Sequence, residues 1–426
     1  MSSARTLPPC RSVSLAWTAI VVIAASGACS SNTSTATPAV CVAPQGDVAS
    51  AQSLASSDNA FGLALYPEAV AASGRGNNVI VSPYSVSAVL RMLDTGAAGR
   101  TASQIQTVLH LAGTASSGAE AYATLACADE RDGSSDGNQL SIADSLWAQK
   151  GITFEPSFLT LVSTSYGAPV QQVDFGGNPA GATSEINQWV SMETQGVIPT
   201  LLEPGDVGQG TRLVLVNALY FKGSWATAFD PALTAPAPFT LADGTPVQVP
   251  TMWGSNLQMS TASVTADLTA LELPYKGGAL AMDFLMPAGP LAEYEASLAP
   301  DTLGATLDSL TSLTDNVTLP KFSFESRVDL VPILKSLGMV DAFGSGADFS
   351  GIDGAKDLSV SFVVQEAKIE VDERGTVAAA ATALGADGGT VTPVLRIDHP
   401  FLFLIHDTHT GSILFMGRVE DPRKSS

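Results

Sequence analysis

The stretch that most constrains this chain runs from Val371 to Pro393. It begins at the end of an alternating apolar run (Val360, Phe362, Val364, then Ile369 and Val371) whose period of two reads as a strand. The charged residues Glu373 and Arg374, with Gly375, break that strand. Small residues, a glycine-rich tip and Pro393 follow, ahead of a very apolar hairpin from Phe401 to Met416. By propensity, the run Ala378 to Ala383 suits a short surface helix or a mobile alanine/glycine linker. Parity admits a third state. As a strand, the segment presents Thr376, Ala378, Ala380, Thr382, Leu384 and Ala386 on one face, all small or apolar. The only charge, Asp387, falls on the other face, and no proline occurs before Pro393. A strand in the middle of a sheet needs its N–H groups and tolerates no charge on a buried face. This segment meets both conditions.

Glu373-Arg374-Gly375-Thr376 followed by Ala378-Ala379-Ala380-Ala381 resembles the hinge of the serpins, with a reactive-centre loop over about 373–393. Asp398-His399-Pro400-Phe401 is similar to the family's carboxy-terminal signature, and Phe415 to Val419 to its final strand. Ser82-Pro83-Tyr84-Ser85 resembles the stretch whose two serines help form the serpin shutter beneath the central sheet; either serine is also a helix-capping candidate. Asn217, in the apolar run Leu213 to Phe221, and Trp225 fall where serpins place a shutter asparagine and a breach tryptophan. For Trp225, simple core packing is the plain alternative. Gln365 stands where the family commonly carries a histidine bonded to the shutter. Glutamine both donates and accepts, so the network survives, but any pH response tied to that histidine should be absent. Val317 to Phe324 resembles one further strand of the family. The resemblance covers about Asp58 to Val419 and implies an α+β fold, with about eight or nine helices around three β-sheets and an exposed reactive-centre loop.

At 426 residues and 45% hydrophobic, the chain can bury one large core or two medium ones. Forty-one acidic residues against 20 basic ones argue against nucleic acid and anionic surfaces as partners. Between Gly118 and Gly137 only Arg131 faces Glu120, Asp129, Glu130, Asp132 and Asp136, so heparin is not expected to bind there. Residues 1–29 read as an export signal: Arg5 and Arg11 precede an apolar stretch, Val13 to Ala25, too short to span a bilayer. Ser26-Gly27-Ala28-Cys29 resembles a bacterial lipoprotein cleavage site, which makes Cys29 the lipidated residue of an outer-membrane-anchored protein; plain secretion is the alternative. Residues 30–57 read as a disordered tether, and a single domain is expected over 58–426. Processing would leave Cys41 and Cys127, able to form one disulfide outside the cytoplasm.

Enzymatic readings find little support. Gly133-Ser134-Ser135-Asp136-Gly137 matches the esterase pattern G-x-S-x-G, but Gly113 to Gln139 reads as a polar loop, not the strand–turn–helix that motif needs. His406-Asp407-Thr408-His409 suggests a metal pair, yet it sits at a hairpin turn with no third ligand nearby in sequence, so no metal is expected. No P-loop or dinucleotide fingerprint occurs, and no cofactor is expected.

The resemblance implies a monomeric suicide inhibitor of serine proteases, in which the cleaved loop inserts into the central sheet with Thr376 entering first. Serpin spacing counted forward from Glu373 and back from Pro400 places the reactive bond at Gly389-Thr390, with Leu384, Ala386 and Gly388 as alternatives. A small residue before the cut suits an elastase-like or subtilisin-like protease, and no Arg or Lys lies between Thr376 and Leu395 to suit a trypsin-like one. A papain-like cysteine protease is an alternative target. So is a non-inhibitory role as chaperone, carrier or structural protein, although the charged, bulky or proline residues that usually spoil such hinges are absent from Thr376, Ala378 and Ala380.

Overall fold

The computed structural model describes residues 48–74, 76–111, 115–255, 257, 260–313, 315–376 and 394–425. In chain order the elements begin with α1 (Val48–Ser73), β1 (Val79–Val81), α2 (Pro83–Asp94), α3 (Gly99–Val108) and α4 (Ala115–Gly133). Next come β2 (Gln139–Gln149), α5 (Pro156–Ser165), β3 (Val170–Val173), α6 (Pro179–Glu193) and β4 (Leu213–Ser224). The middle of the chain is mostly strand: β5 (Ala235–Thr240), β6 (Pro246–Gly254), β7 (Thr261–Val264), β8 (Leu268–Pro274) and β9 (Leu280–Pro287). Helices α7 (Leu291–Ser297) and α8 (Pro300–Asp308) lead to β10 (Thr311–Ser312), β11 (Asn316–Pro320), β12 (Phe322–Asp329), α9 (Leu330–Ser336) and α10 (Ser350–Asp353). The last strands are β13 (Val360–Asp372), β14 (Gly375–Thr376), β15 (Val394–Arg396), β16 (Phe401–Asp407) and β17 (Ile413–Val419).

These strands form three sheets, in the orders β1-β17-β16-β9-β8-β7-β10, β15-β11-β6-β5 and β12-β13-β14-β4-β2-β3. The α+β architecture with three sheets is as expected, and the described residues hold ten α-helices, one more than the upper expectation. The six-stranded sheet is covered on both faces, which is why β4 is apolar at nearly every position rather than at alternate ones. Its period of two turns Val214, Val216 and Ala218 toward Ile186 and Val190 of α6. Leu219 and Phe221 face the other way, into a core shared with Phe284, Phe401 and Phe403 of the seven-stranded sheet.

Three expectations need correction. Helix α1 starts at Val48, inside the stretch read as a tether, and buries Ala51, Leu54 and Ala55 beside Tyr84 and Tyr122. Its serine- and alanine-rich sequence shows no strong apolar stripe; burial comes from neighbours supplied by distant parts of the chain. The supposed polar loop before Gln139 contains α4, where Ala119, Tyr122, Leu125 and Ala126 recur at helical spacing and are buried. Gly133 to Gly137 therefore follows a helix and precedes a strand, the reverse of the esterase order. Finally, Val317 to Phe324 is not one strand: it divides at Lys321 between β11 of the four-stranded sheet and β12 of the six-stranded one. Cys127 is disulfide-bonded. Cys29, Cys41, Ala378, Ala379, Ala380, Ala381, Gly389 and Thr390 lie outside the described residues.

Candidate functional site: the seam of the central sheet

The six-stranded sheet has a seam. Strands β13 and β4 run parallel and pair directly from Val360↔Leu213 to Lys368↔Tyr220. Beyond Lys368 they are held apart by β14. The chain leaves β13 at Asp372, turns over Glu373 and Arg374, and returns with Asp372↔Gly375 and Val371↔Thr376 paired. The other edge of β14 pairs Gly375↔Ser224 and Thr376↔Gly223 on β4. Thus β14 is antiparallel to both neighbours, the arrangement with the better-aligned hydrogen bonds.

The expectation that Thr376 is the first residue to enter the sheet is corrected here, because Thr376 already lies within it. It is 1% exposed, and its hydroxyl is 2.8 Å from the Tyr275 phenol oxygen. Gly375 has φ of 146°, and a Cβ there would sit 2.0 Å from the Gly223 carbonyl oxygen and 2.7 Å from Ser224 Cα. Only glycine fits that turn into the sheet.

The mouth of the seam is pinned by Trp225, Phe229, Thr234 and Lys321. Trp225 Nε1 donates to the Asp372 carbonyl at 3.0 Å, and the indole stacks on Tyr275 with centroids 4.7 Å apart. The backbone N–H groups of Trp225 and Phe229 donate to the carbonyls of Arg374 and Glu373 at 2.8 and 2.7 Å. Trp225 therefore both packs in the core and holds the turn between β13 and β14. The Glu373 carboxylate accepts from Thr234 Oγ1 at 2.7 Å and from Lys321 Nζ at 2.8 Å. Burial alone would raise its pKa; the hydrogen bonds from Lys321 and Thr234 outweigh burial and hold it below the ordinary carboxylate range.

Lower in the seam, Ser82, Ser85, Asn217 and Gln365 form one hydrogen-bonded row. Ser82 caps α2, its Oγ accepting from the Ser85 N–H at 3.2 Å. Gln365 Oε1 accepts from the Ser82 N–H and its Nε2 donates to the Ser82 carbonyl, both at 3.0 Å, and Nε2 also donates to Asn217 Oδ1 at 2.5 Å. Gln365 and Asn217 are direct cross-strand partners on β13 and β4, so this bond crosses the seam itself. Asn217 Nδ2 donates to Ser85 Oγ and, at 2.6 Å, to Asp144 Oδ1, which also accepts from Ser85 Oγ at 2.7 Å.

Asp144 is a site residue that the sequence reading missed. It lies opposite Asn217 on β2, and burial pushes its pKa up to about 7 despite the bonds from Ser85 and Asn217. Its Oδ2 is buried without a hydrogen bond. A signal was present: Leu140, Ile142, Asp144 and Leu146 share one parity of β2, and the acid interrupts an apolar series. Gln365 does not titrate, but Asp144 places a titratable group in the row.

The arrangement is a mixed fold of three sheets whose central sheet holds a two-residue strand between two parallel neighbours. The family model Serpin (serine protease inhibitor) matches residues 56–422. Plasminogen activator inhibitor 1 of the pig (Sus scrofa) is 38% identical over 373 residues, covering 85% of this chain and 91% of its own length. Leukocyte elastase inhibitor of the pig is 36% identical over 381 residues, covering 87% of this chain and all of its own. The crystal structure of Serpin48 from the insect Tenebrio molitor matches with a TM-score of 0.78 at 33% identity, over 87% of this chain and 98% of that one. The chain belongs to the serpin family.

Proposed function

We propose that this protein is a suicide inhibitor of serine proteases, trapping its target by inserting the cleaved loop into the seam between β13 and β4. The observation that carries this reading is β14, already seated between the two strands and antiparallel to both. Continuing its register sets Ala378 between Ile369 and Phe221, and Ala380 between Ala367 and Leu219. These four neighbours belong to the buried core between the two large sheets, so the small, uncharged face of the loop is the face that enters it. Ala379 is the first position at which direct β13–β4 pairs must part, at Lys368↔Tyr220. Thr382 would arrive between Gln365 and Asn217, where its hydroxyl can replace the bond that crosses the seam.

In the proposed reaction the protease serine attacks the carbonyl of Gly389. The Gly389–Thr390 amide breaks, Thr390 leaves as a protonated amino terminus, and an ester joins the serine to Gly389. Insertion then satisfies the backbone groups of the freed strand and carries the tethered protease away from its starting position before water hydrolyses the ester. Elastase-like or subtilisin-like enzymes are the proposed targets. Export belongs to the same proposal, with Cys29 lipidated or the mature chain secreted; mass spectrometry of the mature amino terminus tests it.

The test is to mix the protein with elastase, subtilisin, trypsin and papain. The expected result is an SDS-stable complex with a serine protease of the first two kinds and a released peptide beginning at Thr390. A non-inhibitory role predicts cleavage without any stable complex. Ala380→Arg places a charge on the inserting face and should turn the inhibitor into a substrate cut at the same bond. If Ala380→Arg traps protease as well as wild type, insertion is not the mechanism.

A further inference from the structure

His406 and His409, adjacent in sequence to the same turn, join two separate acidic groups: Glu272 and Asp283 with His406, and Asp132 and Asp407 with His409. The first group is built on three neighbouring strands of the seven-stranded sheet, β8, β9 and β16. Glu272 and Asp283 are direct cross-strand partners. His406 pairs with Ala281, two residues from Asp283 and on the same face of β9. One ligand atom from each of the three residues lies within 4.8 Å of the other two.

Asp283 is 0% exposed, yet neither of its carboxylate oxygens makes a hydrogen bond. His406 Nδ1 lies 2.8 Å from Asp283 Oδ2 and forms an ion pair with it when the imidazole is protonated, whereas Asp283 Oδ1 has no hydrogen-bond partner. A buried carboxylate with no hydrogen bond is a costly feature unless something else satisfies it. Glu272 is oriented by Thr261 Oγ1, which donates to Oε1 at 3.1 Å, while Oε2 lies 3.8 Å from His406 Nε2. The His406 and Glu272 side chains keep 12% and 22% exposure, leaving a path by which an ion can enter and a water can complete its coordination.

We propose that Glu272, Asp283 and His406 form a binding site for one divalent transition-metal ion, joining β8, β9 and β16. One imidazole nitrogen and two carboxylates suit zinc, cobalt or manganese rather than magnesium or calcium, which favour oxygen-only ligands. Three protein ligands with a fourth position open to water is a common zinc geometry, and the ligand atoms, within 4.8 Å of one another, would draw together around an ion on one imidazole nitrogen. The two carboxylate charges would be balanced by the ion, and the Asp283 carboxylate, whose Oδ1 has no hydrogen bond, would gain a partner. The other group is more fully engaged: Asp132 accepts from Arg131 and His409, and Asp407 Oδ1 accepts from the N–H groups of His409 and Thr410, leaving Asp407 Oδ2 without a hydrogen bond. That group serves as the control. The proposal is independent of protease inhibition.

The test uses the mature protein stripped with EDTA and titrated with Co2+, followed by visible absorption and calorimetry. We expect one Co2+ per chain, displaced by Zn2+ and not by excess Mg2+, with a saturable rise in unfolding temperature on adding Zn2+. His406→Gln and Glu272→Gln should each weaken Co2+ binding by about tenfold or more. His409→Gln should leave it unchanged. Glu272 is partly exposed, so its variant keeps the test decisive if His406→Gln does not fold. Absence of Co2+ binding by the wild type overturns the proposal. So does binding that persists in both His406→Gln and Glu272→Gln, or that is lost in His409→Gln, since the ion then sits elsewhere.

Discussion

Asp144→Asn isolates the one titratable group in the shutter row. The change is nearly isosteric and keeps an oxygen to accept from Ser85 and Asn217. It removes the ionisation and puts an amide NH2 where Oδ2 has no partner, a pH-independent cost that cancels between two pH values. Asp144 is fully buried with its pKa raised from 3.8 to about 7, chiefly by desolvation, which means that the folded state prefers the protonated acid. Between those two values the folded chain binds the proton more tightly than the unfolded chain does. The stability this provides is fully present below the ordinary carboxylate range and is lost as pH rises through about 7. The difference between 3.8 and about 7, at about 1.36 kcal/mol for each tenfold change in proton affinity, corresponds to about 4 kcal/mol as an upper bound. The assay is urea unfolding of wild type and Asp144→Asn at about pH 5 and about pH 8.5, compared as a difference so that other titrating groups, such as Glu366, cancel. The wild-type advantage over the variant should shrink or reverse by a few kcal/mol between the two conditions. A difference that stays constant with pH would show that Asp144 is not held protonated, and the account of the shutter would fail.

Gly375→Ala puts a methyl group against the Gly223 carbonyl at a φ closed to alanine, and should expel β14 from the seam at a cost of about 2–4 kcal/mol. Limited proteolysis should then cut near Thr376 faster than in wild type; an unchanged rate would mean that the sheet accommodates the Cβ. Glu373→Ala removes the bonds from Lys321 and Thr234 and should lower stability by about 1–3 kcal/mol at neutral pH. Because the folded pKa of Glu373 is depressed, its contribution is present above the ordinary carboxylate range and disappears as pH falls through the folded value, opposite in sign to Asp144. Heparin should not accelerate trapping, since acids dominate the region around α4; a salt-sensitive rate increase would contradict this.

Much of the fold was legible because strand parity is local. The alternation of Val360 to Val371 and the apolar run Leu213 to Phe221 announce β13 and β4, and Glu373-Arg374-Gly375 announces the turn between β13 and β14. Thr376, the first of a run of small, uncharged residues, is itself in the sheet as part of β14, and the serpin-like motifs carry the family and its fold.

What the sequence left open depends on contacts between residues far apart along the chain. Nothing near Thr376 says that Gly223, Ser224 and Tyr275 have already closed around it. The helical spacing of Tyr122 and Leu125 carries weight only when α1 and α2 cover it, and Ala51 looks like tether until Tyr84 lies beside it. Asp144 interrupts an apolar face visibly, but its purpose appears only when Asn217 and Gln365 align across two strand junctions. His406 lacks a third ligand until β8 and β9 bring Glu272 and Asp283 to it. Local periodicity records which way a side chain points. What it meets there, and therefore its burial, hydrogen bonds and charge state, is set by strand order and register, which only the folded chain supplies.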